Sequence, residues 1–202
     1  MHIDLTLLSP AQTYATMTQS IVPRPVAWVL TENDSGTFNL APYSYFNAIS
    51  SAPAMAMFSV GVTANGDIKD TRYNLERRDQ AVIHIAHREM AQAMTASSAT
   101  IERGVSEVSE LGLQTAAMPG SELPRLRDCR VAYAARLVDT KMIKQQWIAF
   151  MELTHLYLHD TIVGEDAKGR LKVMADKLDP IGRLGGGEYV MAGDIVSIDR
   201  PA

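Results

Sequence analysis

The sequence predicts a mainly β protein with short inserted helices, arranged as a closed antiparallel barrel, and three observations lead there. The stretch Asn39 to Thr71 opens with strand-like alternation: Leu40, Pro42, Ser44, Phe46 and Ala48 take one face, and Ala41, Tyr43, Tyr45, Asn47 and Ile49 the other. Two long late segments, Cys129 to Val138 and Trp147 to Leu158, alternate in the same way and read as partners. Finally, about seven such strands are separated by short helical stretches without the regular strand–helix repeat of a parallel sheet.

The N-terminal lead carries one helical turn, Pro10 to Met17, with Ser9 as N-cap and proline in the first helical position. Val22-Pro23-Arg24-Pro25 forces an extended backbone, because each proline turns its predecessor away from helix. Val26 to Thr31 is a strand, and Asn33-Asp34-Ser35-Gly36 returns the chain through Thr37 to Ala41. Ala54 to Val60 is an apolar run, and a polar turn then leads to Lys69-Asp70-Thr71 and a helix over Asp70 to Arg78. Ala81 to Ala86 reads as a strand, Arg88 to Ser97 as a helix with Met90, Ala93 and Met94 on one face, and Glu102 to Leu111 as a helix ended by Gly112. Ala116 to Leu126 is loop, Lys168 to Gly187 irregular, and Asp194 to Ile198 a closing strand; Val138 to Gln146 has no evident reading.

A chain of 202 residues with 47% hydrophobic and 21% charged residues fits a single globular domain spanning 1–202. The net charge of -4 with no Lys/Arg block gives no nucleic-acid footprint. One cysteine, Cys129, excludes an internal disulfide and a cysteine-based zinc cluster. With no signal-peptide pattern in the first residues and no apolar run long enough to span a bilayer, the expectation is a soluble, cytoplasmic protein with no membrane partner.

Lys69-Asp70-Thr71 at a helix start combines free backbone N–H groups, the helix dipole and a full positive charge, a pattern suited to an anion. The same residues also compose an ordinary cap with a solvated lysine, which is common, and Asp70 opposes an anion unless its carboxylate turns away. Ser44, Asn47, Ser50 and Ser51, beside Tyr43, Tyr45 and Phe46, offer donors for the polar edge of a flat heteroaromatic ring, or equally a turn bonding its own backbone. Arg24 sits rigidly between two prolines, where it serves a phosphate or simply the surface. His84 with His87 and His155 with His159 lack acidic or thiol partners at ligand spacing, so no metal site is predicted. Cys129 reads as core, as do Met55, Met57, Met90, Met94, Met142 and Met151. Gly182 to Tyr189 is glycine-rich but fits neither nucleotide fingerprint; a tight turn near a ligand or a subunit boundary accounts for it.

Four motifs in order, Ser20 to Trp28, Asn39 to Asn47, Ser50-Ser51 with Pro53, and Lys69-Asp70-Thr71 with Asn74, resemble those of the flavin reductase-like FMN-binding split barrels, a group that includes flavoredoxin. Pro180 to Gly186 before Tyr189 is similar to that family's C-terminal signature. The resemblance implies an antiparallel split barrel of Greek-key type and a homodimer with one FMN per subunit. It implies that the 1–20 lead and the 168–202 segment contribute to the dimer. It places Ser44, Lys69 and Thr71 at the phosphate and ribityl chain, Asn47, Ser50 and Ser51 along the isoalloxazine, and Arg24, Asn39 and Asp70 close by. NADH or NADPH would be the electron donor, chemistry would occur at flavin N5 with no catalytic side chain, and a small molecule or protein would be the acceptor. The alternatives are a flavoredoxin-like carrier without nicotinamide turnover, and a barrel repurposed for haem through His155 or His159.

Overall fold

The computed structural model describes residues 1–198. Seven strands form one antiparallel sheet: β1 (Ala27–Glu32), β2 (Phe38–Tyr43), β3 (Phe46–Ser51), β4 (Ala54–Val60), β5 (Gln80–Ile85), β6 (Val131–Ile143) and β7 (Gln146–Leu158). Their order is β2-β1-β5-β6-β7-β4-β3. Strands β2 and β3 are thus at opposite edges although only Ser44 and Tyr45 separate them, so the sheet must curl until its edges meet. Ser59 N–H donates to the Tyr45 carbonyl at 2.9 Å, which carries the β3–β4 ladder up to the residues that link β2 to β3. The helices are α1 (Pro10–Ser20), α2 (Asp70–Arg78), α3 (Ala91–Ala96), α4 (Glu107–Glu110) and α5 (Ala175–Leu178).

Strand β1 is apolar at consecutive positions because both of its faces are covered. Ala27 and Val29 point into the barrel with Tyr43, Phe58, Val60, Ile83, Trp147 and Met151, and Leu75 of α2 closes that cluster. Trp28 and Leu30 point outward, where they meet Leu40, Val82, Met90, Met94, Val108 and Leu126 under α3, α4 and the following loops. Full burial of each large side chain contributes about 1.5–3 kcal/mol, so the two layers are the main source of stability.

Several elements differ from expectation. The alternating run from Leu40 to Ile49 is two strands, because the chain changes edges at Ser44; Asn47 to Ser51 are strand residues, and a bulge falls between Ala48 and Ser50. The unread stretch 138–146 is the tip of a long β6–β7 hairpin, with Lys144 at φ 52° in the turn. Met142 is therefore exposed instead of core. Glu102 to Leu111 yields only the short α4, since Gly104 at φ +81° takes the chain out of helical geometry and Ser106 caps afresh. The region 168–187 contains a short strand, α5 and a two-residue strand, Gly182–Arg183, that pairs with Arg24–Pro25. No strand forms over 194–198. In the glycine-rich loop, a Cβ on Gly185 would overlap the Gln19 side chain, so glycine lets the loop lie against the end of α1.

His84 is wholly buried in β5: its Nδ1 lies 3.0 Å from the Trp28 carbonyl, and its Nε2 accepts from Leu126 N–H at 2.9 Å. The ring is therefore neutral with the proton on Nδ1. Burial pushes its pKa down to about 4, the bond to the Trp28 carbonyl opposing this only in part. A lowered folded-state pKa means full stability above the ordinary histidine value and loss as pH falls toward about 4. Urea unfolding at about pH 5 is expected to give a free energy some 2 kcal/mol below that at pH 8, and His84→Gln to remove most of that difference.

Candidate functional site

Helix α2 begins without a side-chain cap: Lys69 is its N-cap residue, and among the described residues no side chain bonds to the first-turn N–H groups. The helix ends with Arg77 and Arg78 in its last turn and Asp79 in a left-handed cap, so charge follows the dipole at that end. Lys69 is exposed, and among the described residues it makes no ion pair. Asp70 does turn away. Its carboxylate accepts from Gly104 N–H at 2.9 Å and meets Arg103 Nε at 3.3 Å, which leaves the helix start electropositive.

A buried chain of amides and hydroxyls holds α2 in place. Asn39 Nδ2 donates to Thr71 Oγ1 at 2.9 Å and to Thr31 Oγ1 at 3.1 Å. Asn74 Nδ2 donates to the same Thr31 hydroxyl at 3.1 Å and to Asn33 Oδ1 at 2.9 Å, and Asn33 Nδ2 reaches the Gly104 carbonyl at 3.3 Å. Each member is at most 3% exposed. Thr71 is fully buried, so its hydroxyl serves this network and its backbone serves the helix start.

The helix start opens on a cavity of about 530 Å³. Asn39, Ala41, Pro42 and Tyr43 of β2 form one wall, 63–70 a second, and the loop 97–103 with Glu107 a third. Trp28 Nε1 fixes that loop by donating to Ser97 Oγ at 2.8 Å, and Arg103 ties its far end to the Ile68 carbonyl at 2.7 Å. The Tyr43 hydroxyl is buried and among the described residues lacks a partner at good hydrogen-bond geometry, its ring stacked on Phe58 at 5.4 Å. Burial drives the phenol pKa far up, which the adjacent Thr71 hydroxyl only partly opposes. An uncapped helix start and an unpaired lysine at one cavity suit an anionic ligand of mononucleotide size.

The predicted residues divide. Asn39, Lys69 and Asp70 meet at the cavity, with Thr71 beneath it. Asn47, Ser50 and Ser51 lie apart, exposed along β3. Ser44 sits between the groups, its Oγ 3.5 Å from Arg24 Nε. Arg24 is only 7% exposed and donates to the carbonyls of Thr18, Ile21 at 2.8 Å and Leu184 at 2.6 Å, locking α1 to the C-terminal segment. His155 bonds Thr154, His159 caps the turn at Thr161, and burial pushes the Cys129 thiol up to about 12. Tyr43, Glu107 and Arg103 escaped the sequence reading as site residues. Tyr43 stood within the alternating segment, but no local pattern pointed to the other two. Arg24→Met is expected to lower unfolding free energy by about 2–4 kcal/mol in urea titration, because three carbonyls lose a charged donor.

The flavin reductase-like domain matches residues 18–174. An uncharacterized protein of Deinococcus radiodurans is 32% identical across 98% of this chain and 89% of its own length. The fold is similar to that of the 2-nitrobenzoate 2-nitroreductase NbaA of Pseudomonas fluorescens, with TM-score 0.89 and 29% identity over 100% of this chain and 96% of that one. It is also similar to nitrilotriacetate monooxygenase component B from Bacillus cereus, with TM-score 0.88 and 25% identity over 98% of each chain. Flavoredoxin of Desulfovibrio vulgaris, at 16% identity, TM-score 0.72, and coverage of 88% of this chain and 91% of its own, shares the fold. With a split barrel organised around these motifs, the chain belongs to the flavin reductase-like domain family.

Proposed function

We propose that this protein is an FMN-binding oxidoreductase of the flavin reductase type, passing electrons from NADH or NADPH to a small-molecule or protein acceptor. The observation that carries this reading is the uncapped start of α2, flanked by Lys69 and opening on the cavity, in a chain of this family. Lys69 and the first-turn N–H groups would hold the phosphate, with Asn39 and Ser44 beside the ribityl chain and Thr71 supporting Asn39 from below. Asn47, Ser50 and Ser51 supply amide and hydroxyl donors along β3 for the polar edge of the ring. When bound, FMN supplies the hydride-accepting centre, and the chain's task is to bind, orient and shield it.

Residues 47–54 are exposed along the edge of the sheet, and Ile49 is 42% exposed beside the proposed ring contacts. Such an edge invites cover, and a second copy would shield the flavin as it buries these strands, so a homodimer completes the proposal. The 1–20 lead and the exposed Ile195, Val196 and Ile198 of the C-terminal segment are the further surfaces offered to it.

Likeness of fold to flavoredoxin supports a second reading, an electron carrier without nicotinamide turnover. Anaerobic NADH or NADPH added to the FMN-loaded protein separates the two: rapid bleaching of the flavin band is expected, and its persistence would favour the carrier. Lys69→Ala is expected to weaken FMN by about 1.5–3 kcal/mol, a loss of about tenfold to 150-fold, in fluorescence titration, with riboflavin nearly unaffected. Unchanged FMN affinity would remove Lys69 from the site.

A further inference from the structure

Glu107 lines the same cavity as Lys69, is only 9% exposed, and has no structural need of its charge. Its Oε2 accepts from Leu40 N–H at 2.9 Å, while Ser106 Oγ donates to the Phe38 carbonyl at 2.6 Å. Together the two side chains cap the free edge of β2, which would otherwise leave backbone groups unpaired. A neutral amide oxygen could accept from Leu40 in the same place, giving up only the charge assistance of that bond. Among the described residues no cation pairs with Glu107.

The charged and titratable groups lining the cavity around it are Asp67, Lys69 and Asp70 from the turn and α2, Tyr43 from β2, and Arg103 from the loop. Arg103 is committed to Asp70 and the Ile68 carbonyl, which leaves Lys69 as the cavity's unpaired cation. Burial raises the Glu107 pKa, Asp70 adds to this, and the Leu40 N–H works against it. A buried carboxylate without a counter-ion opposes any further anion placed in its cavity.

We infer that Glu107 is a specificity-determining residue that limits the negative charge the cavity accepts, weakening a phosphate-bearing flavin so that it exchanges instead of staying fixed. The inference rests on the FMN reading. When the phosphate enters, its charge favours the protonated form of Glu107, so binding takes up a proton. Rising pH therefore opposes FMN through Glu107, whereas riboflavin, which lacks the phosphate, is indifferent to it.

The test is titration of the full chain and of Glu107→Gln with FMN and with riboflavin between about pH 5.5 and 8.5. The glutamine keeps the Leu40 bond and removes the charge. At pH 8 the variant is expected to bind FMN about three- to tenfold more tightly, with riboflavin within about twofold, and its advantage to shrink toward acid pH. Equal FMN affinities at pH 8, or equal shifts for both flavins, would overturn the inference while leaving FMN binding intact. Failure of the wild type to bind either flavin would overturn the FMN reading instead.

Discussion

The hydrogen bonds from Asn39 to Thr71 and Thr31 are the constraint on which the site depends. They cross from β2 to α2 and to β1, and Asn74 and Asn33 extend them to the Gly104 carbonyl in the loop that walls the cavity. Water cannot substitute for any partner at such burial, so each donor must find its acceptor in one geometry. Hydrophobic contact alone, through Leu75, would let α2 slide along the barrel wall. The amide network removes that freedom and fixes where the helix start points.

That fixed helix start explains how charge is distributed around it. Asp70, the acid that a helix terminus favours, is drawn aside by Arg103 and Gly104, and in being drawn aside it anchors the loop. Arg103 also stands over the Tyr73 ring at 4.9 Å, and Tyr73 donates to Asp34, so the loop is tied to the β1–β2 turn as well as to α2. Electropositivity at the helix start and order in the opposite wall therefore share one cause.

Much of the fold was legible because its strands alternate or lie in apolar runs bounded by turn residues. The helix over Asp70 to Arg78 was bounded correctly from its composition. Less legible was the break at Ser44. Alternation continues across it in the sequence, and only the pairing of β3 with β4 and of β2 with β1 reveals that the two halves lie on different edges. Of the candidate site, the Lys69 end could be read because a helix start is a local pattern. Glu107 could not be read: it comes 38 positions after Lys69 in a helix of four residues, and reaches the cavity only because α4 folds over the free edge of β2.

Arg24 and Lys69 illustrate what sequence alone leaves undecided about a cation. Both sit at the edge of a regular element, and both are named by the motifs that mark the family. Arg24 is enclosed, and an enclosed guanidinium must satisfy its donors; the backbone carbonyls at the end of α1 and at Leu184 do so, which turns the side chain into a fastener. Lys69 stands in solvent, where a single ammonium needs no protein partner and loses little by waiting for one. The difference follows from what surrounds each charge: pairing of Arg24–Pro25 with Gly182–Arg183 brings the C-terminal segment across the first cation, while no described segment covers the second. A cation that folding has already satisfied has little left to offer an anion, whereas Lys69 keeps its charge free beside a helix start that no N-cap side chain closes.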